Sequence, residues 1–129
     1  MKRLLDIGFK YAGKWLINND TLEYKLENPS NKINVLYAFI ENEKIMYIGK
    51  STRTLNDRMY NYKNSDPSQK TNHRNKSRIK DSLLNGNSVE IYVFIDDGLL
   101  SYGNYHINLA AGLEDSLINI IQPEWNDIK

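Results

Sequence analysis

Tyr37, in Val35-Leu36-Tyr37-Ala38, and Tyr47, in Tyr47-Ile48-Gly49-Lys50, stand ten residues apart and are followed by Arg58, Tyr62, Glu114 and Asn126. Hydrolysing a phosphodiester needs a group to take the water's proton, positive charge on the phosphoryl oxygens and a carboxylate to hold a metal ion. The set contains a residue type for each. Arg58 offers a planar, permanently charged fork matched to phosphate oxygens, so it is expected to stabilise the transition state. Glu114 is the carboxylate embedded in the apolar pattern of the last helix, which singles it out as the ligand of one hard cation, Mg²⁺ or in its place Mn²⁺. A phenol titrates at about 10, so Tyr37 or Tyr47 serves as a base only if nearby positive charge stabilises the phenolate. Lys50 and Lys76 are candidates for that role, and His73 is an alternative base closer to neutrality. Gly49 either admits close approach of substrate or a neighbouring backbone, or ends its strand. A zinc centre fits poorly, because His73 and His106 lie far apart with no close ligand partner.

Short elements must bring these residues together. Asn34 to Ile40 and Lys44 to Lys50 are rich in β-branched and aromatic residues and are separated by Glu41-Asn42-Glu43, the pattern of an antiparallel hairpin with a tyrosine on each strand. Thr54 with Asp57 three residues on approximates a capping box, and Leu55, Met59 and Tyr62 recur at helical spacing, predicting a helix over 54–63 with Arg58 and Tyr62 on one face. A second helix is expected over 72–84, ended by Asn85-Gly86, and a strand over 88–95. The last helix, 108–122, carries a stripe of Leu109, Leu113, Leu117, Ile120 and Ile121 and stops at Pro123. Glu114 sits at the margin of that stripe, where a carboxylate needs a metal ion or a cationic side chain as partner. Residues 1–30 hold a further hairpin, 14–17 and 21–26, read as an extension of a domain spanning 31–129.

With 129 residues and 40% hydrophobic residues the chain supports one compact core. No run is long enough to span a bilayer, and Met1-Lys2-Arg3-Leu4-Leu5-Asp6 is charged too early for a secretory leader, so a membrane partner is not expected. The absence of cysteine excludes disulfides, thiolate metal sites and cysteine nucleophiles, and agrees with a cytoplasmic setting, bacterial or phage-infected. The net charge of +1 conceals two halves. Residues 50–80 hold nine Lys/Arg against two acidic residues, and residues 81–129 hold one Lys against eight. A basic block directly behind the tyrosine pair is the electrostatic footprint expected of nucleic-acid binding. Lys50, Arg53, Tyr62, Lys63, His73, Arg74 and Arg78 are the candidate contacts.

The joint order of Tyr37, Tyr47, Gly49, Arg58, Tyr62, Glu114 and Asn126 resembles the GIY-YIG nuclease family. Within it, Lys76-Ser77 and Pro123-Glu124-Trp125-Asn126 suggest the small free-standing members of the phage endonuclease II and type II restriction endonuclease kinds. The resemblance implies an α+β fold with a small central antiparallel sheet flanked by helices, and hydrolysis dependent on a single divalent metal. It implies Tyr37 as base toward water, Tyr47 and Arg58 on the phosphate, Glu114 on Mg²⁺, Lys76 or His73 as an additional basic group, and Gly49 and Asn126 as structural. The first motif lacks the family's glycine, and the first thirty residues match no general family motif. The expected function is cleavage of double-stranded DNA, of a restriction type or a phage type that degrades host DNA. Since one site cuts one strand, a homo-oligomer, dimer or tetramer, is expected. The alternative is a non-catalytic DNA-binding module on the same scaffold.

Overall fold

A strand covered on both faces must be apolar at consecutive positions, and Val35-Leu36-Tyr37-Ala38-Phe39-Ile40 satisfies this, each residue being buried. The structure is a computed structural model that describes residues 1–96, 98 and 100–127. After a short helix α1 (Lys2–Asp6) come strands β1 (Lys10–Asn18), β2 (Thr21–Leu26), β3 (Val35–Glu41) and β4 (Lys44–Ser51). Helices α2 (Leu55–Lys63) and α3 (Lys70–Leu84), strand β5 (Val89–Ile95), two-residue strands β6 (Ser101–Tyr102) and β7 (Tyr105–His106), helix α4 (Leu109–Ile121) and a 3₁₀ turn (Glu124–Asn126) complete the order. The expected α+β fold is present, as one antiparallel sheet in the order β2-β1-β5-β3-β4 with helices on both sides.

Strand alternation splits the core in two. Val35, Tyr37 and Phe39 face a layer holding Leu55, Met59, Tyr62 and Ile79 of α2 and α3. Leu36, Ala38 and Ile40 face Leu4 of α1 and Ala110, Leu113, Leu117 and Ile121 of α4. A register shift between β3 and β4 pairs Phe39 with Tyr47 and Ile40 with Ile45, leaving Met46 extra. This bulge turns both Met46 and Tyr47 toward the α2 and α3 layer. Both long hairpins turn on two residues at positive φ, Asn19-Asp20 and Asn42-Glu43, as the right-handed twist of paired strands demands. The Thr54 hydroxyl accepts from Asp57 N–H at 3.1 Å, and Asn108 caps α4 in the same way through Ala111 N–H at 3.2 Å.

Three details differ from the sequence reading. The first hairpin is longer and supplies two of the five strands, with Trp15 packed edge-on against Phe39 in the main core. The inner stripe of α4 runs through Ile118, while Ile120 is 70% exposed, because the helix seats itself on Ala110, Leu117 and Ile121. The opening residues, read only as a charged start, form a turn of helix that buries Leu4 completely. Among the described residues no helix is long and apolar enough to cross a membrane. Trp15→Ala should lower unfolding free energy by about 3–5 kcal/mol, read as a shift of the urea midpoint by circular dichroism. A hairpin that merely decorated the core would leave the midpoint nearly unchanged.

Candidate active site

Arg58 rises from the first turn of α2 and is held on three sides. Its Nε donates to the Tyr37 hydroxyl at 3.0 Å, and its Nη2 donates to the Tyr62 hydroxyl at 3.2 Å and to Asn72 Oδ1 at 3.0 Å. The guanidinium carbon also lies 4.4 Å from the Tyr62 ring centroid, a cation–π contact. Tyr37 and Tyr62 close the arrangement with a hydroxyl–hydroxyl bond of 2.6 Å. A half-buried guanidinium is costly unless acceptors satisfy it, and here three neutral oxygens do so without cancelling its charge. The Nη1 edge has no acceptor among the described residues, so two N–H groups remain for an anion.

Gly49 is the cross-strand partner of Tyr37. A methyl group at Gly49 would lie 2.6 Å from the Tyr37 hydroxyl and 2.8 Å from the Tyr47 ring, so the glycine makes room for both phenols. Of the sequence alternatives, close approach is the one observed, and what approaches is a side chain. Tyr47 is only partly buried and stacks on Phe39 with ring centroids 5.7 Å apart. Burial is the main reason that the phenols of Tyr37, Tyr47 and Tyr62 all hold their protons more tightly than a free tyrosine. Tyr47 lies within electrostatic reach of both Arg58, which eases its ionisation, and Glu114, which opposes it. Guanidinium, partly buried phenol and carboxylate are therefore within electrostatic reach of one another.

Glu114 reaches this place from α4, on the other side of the sheet, by passing the outer edge of β4. Its side chain is 18% exposed and its Oε1 lies 3.8 Å from Lys50 Nζ. Burial raises its carboxyl pKa, with the Lys50 ammonium acting against that shift. No cluster of three or more His, Asp or Glu side chains gathers anywhere among the described residues. A single, partly buried carboxylate is the kind of ligand set that a hard cation keeping most of its water, such as Mg²⁺, accepts.

The edge of β4 is finished by a side chain. The Ile48 N–H donates to Asn126 Oδ1 at 3.0 Å, and Asn126 Nδ2 donates to the Ile48 carbonyl at 2.8 Å, so one amide substitutes for a neighbouring strand. Asn126 is in turn held by its neighbours. Arg78 grips the Asp127 carboxylate in a fork, Nη2 to Oδ1 at 2.7 Å and Nη1 to Oδ2 at 3.1 Å, and also donates to the Trp125 carbonyl at 2.8 Å. Arg74 adds Nη1 to Asp127 Oδ2 at 2.6 Å. These contacts pull the Asp127 pKa down to about 2.

The structure gives each expected site residue its surroundings. Tyr62, an expected DNA contact, is fully buried on the inner face of α2 and accepts from Arg58. Tyr37, the expected base toward water, has no exposed surface, and its hydroxyl is bonded to Arg58 and Tyr62. Arg74 and Arg78 were expected on DNA and instead fasten the chain end, and Lys63 is paired with Glu23 at 2.6 Å. Lys50 and Arg53 stand exposed beside the site. His73 and Lys76 are half-buried, Lys76 one turn beyond Asn72 and on its flank, which brings α3 toward Arg58. Sequence reading missed Asn72 and Asp127, since neither stands in a motif and both act across long chain separations.

No family model and no curated protein sequence matches the chain. Among solved structures, a glutamate-to-alanine mutant of bacteriophage T4 EndoII is similar over 98% of this chain and 97% of its own, with TM-score 0.74 and 27% identity. The restriction endonuclease HPY188I, solved in complex with product DNA, is similar over 88% of this chain and 74% of its own, with TM-score 0.54 and 20% identity, a likeness of fold alone. The whole-length match shows that this chain has the fold of T4 EndoII, and the order of Tyr37, Tyr47, Gly49, Arg58, Glu114 and Asn126 along it is consistent with a GIY-YIG-like nuclease.

Proposed function

We propose that this protein is a divalent-metal-dependent endonuclease that hydrolyses phosphodiester bonds of double-stranded DNA, acting as a symmetric homo-oligomer. The observation that carries the reading is that Arg58 is held by Tyr37, Tyr62 and Asn72 with its Nη1 edge left over among the described residues, while Tyr47 lies within electrostatic reach of both Arg58 and the partly buried Glu114. The neighbour that matches the chain from end to end is a phage endonuclease, which supports the reaction class.

In this reading the Nη1 edge of Arg58 binds a non-bridging oxygen of the scissile phosphate and holds it against the charge that builds in the transition state. Tyr37, Tyr62 and Asn72 keep the guanidinium from rotating, so no reorganisation is needed when the phosphate arrives. Glu114 would hold the divalent metal, whose chemistry when bound is to neutralise phosphate charge. Lys50, Arg53 and Lys76 add positive potential along the approach. Tyr47 replaces Tyr37 as the group that takes the water's proton, because it is the phenol with an open side. As the water oxygen bonds to phosphorus, its proton passes to the Tyr47 phenolate and the opposite P–O bond breaks. The leaving oxygen is then protonated from solvent.

Supercoiled plasmid should be nicked or linearised with Mg²⁺ and remain intact in chelator. Glu114→Ala and Arg58→Ala should each lower the cleavage rate by about 100-fold or more, with filter binding of DNA largely kept. Full cutting by the Glu114 variant would refute the metal assignment. Because burial raises the Tyr47 pKa, the phenolate fraction grows about tenfold per pH unit throughout the neutral range. Cleavage should therefore climb with pH without a plateau below pH 9, Tyr47→Phe should remove the slope, and Tyr37→Phe should lower the rate while keeping it. The depressed pKa of Asp127 means that its stabilisation is present above its ordinary value of 3.8 and is lost as pH falls toward 2. Asp127→Asn should lower the melting temperature at pH 7, and the gap from wild type should close in melts taken between pH 4 and pH 2.

A further inference from the structure

Between β5 and α4 the chain makes a small ribbon that the site does not use. Ser101 pairs with His106 and Tyr102 with Tyr105 around a two-residue turn, Gly103-Asn104, where Gly103 takes φ +62°. Directly paired residues project from the same face, so the two tyrosine side chains stand together. They are 81% and 79% exposed, the most exposed large hydrophobic residues of the described chain.

A four-residue ribbon is unstable alone, and this one is anchored. The Asp96 side chain, 6% exposed, accepts from Gly98 N–H at 2.9 Å and Leu109 N–H at 3.0 Å, and pairs with His106 Nε2 at 3.0 Å. Ile107 N–H closes the root on the Leu100 carbonyl at 2.9 Å. One carboxylate thus binds both the ribbon and the first turn of α4. That first turn lines a cleft with Lys50, Ser51 and Thr52, through Asn108, Ala110 and Ala111. Glu114 follows Leu109 by five residues, about 8 Å along the helix axis. The root of the ribbon therefore adjoins the helix that carries the proposed metal ligand, near the exposed Lys50.

We infer that the Tyr102–Tyr105 ribbon is a wedge that stacks on the bases of duplex DNA flanking the scissile phosphate. The inference rests on the endonuclease reading. Residues 100–105 carry no charge, so the tip itself does not repel phosphates, while Lys50 attracts them. Tyrosine has the flat ring that stacks on any base and the hydroxyl that tolerates water until it does. Lys50 at the root of the ribbon, and the proposed metal ligand on the helix that the ribbon adjoins, favour nucleic acid over a second copy of this chain. A rigid aromatic pair entering the stack would bend the duplex and present the backbone to Arg58.

The test compares wild type with the Tyr102→Ala/Tyr105→Ala and Tyr102→Phe/Tyr105→Phe double variants, on duplexes carrying one 2-aminopurine at successive positions around the mapped cut. In chelator, wild type should change the fluorescence at one or two positions by at least twofold, the alanine pair should abolish the change, and the phenylalanine pair should keep it. With Mg²⁺, cleavage should fall at least tenfold in the alanine pair and less than threefold in the phenylalanine pair. Equal cutting and equal fluorescence in all three proteins would overturn the wedge and leave the endonuclease reading standing. Sedimentation showing that the alanine pair dissociates an oligomer would assign the ribbon to a second copy and overturn it also. A wild type that neither binds nor cuts DNA would overturn both.

Discussion

A guanidinium kept charged, half-buried and unneutralised is the constraint around which the rest is arranged. Had Arg58 met a carboxylate it would be more stable and chemically mute. It meets two phenols and a carboxamide instead, which supply lone pairs and no opposing charge. To aim two phenols at one arginine, the fold needs a strand tyrosine beneath a glycine, a helix tyrosine one turn beyond the arginine, and a second helix delivering Asn72. The raised affinity of these phenols for their protons follows from that burial, and it keeps them neutral partners at ordinary pH.

Two further groups depend on the geometry of one edge strand. Tyr47 faces the helical layer because of the bulge at Met46, and Glu114 reaches the same neighbourhood only because β4 has no strand outside it. The site straddles the sheet edge and draws from both layers. Its polar groups come from elements with separate hydrophobic cores, so the packing of α4 on one face and α2 on the other together set the gap between carboxylate and guanidinium.

The parts that were legible in the sequence are those with local causes. The β3 and β4 hairpin, the Thr54-capped helix and the end of α4 before Pro123 follow from alternation, capping and a breaker within a few residues. The convergence of Tyr37, Arg58 and Tyr62 was legible as an ordered set of residue types. Partner choice was not. Arg74 and Arg78 read as DNA contacts because nothing in a basic helix marks an ion pair with Asp127, about fifty residues away. Tyr37 and Tyr62 read as accessible because a tyrosine's hydroxyl does not reveal from sequence whether water or another side chain will meet it. The Tyr102 ribbon escaped notice because two-residue strands leave no periodicity.

The amide of Asn126 closes the outer rim of β4 at its midpoint, Ile48, and that has a consequence for how the protein keeps company. An open rim invites extended peptides or sister molecules to zip on through their main chains. With this rim stoppered by a single carboxamide, lateral growth of the sheet through β4 is blocked beside the very groups that must stay clear for a nucleic acid. Any main-chain association is left to the opposite rim, at β2.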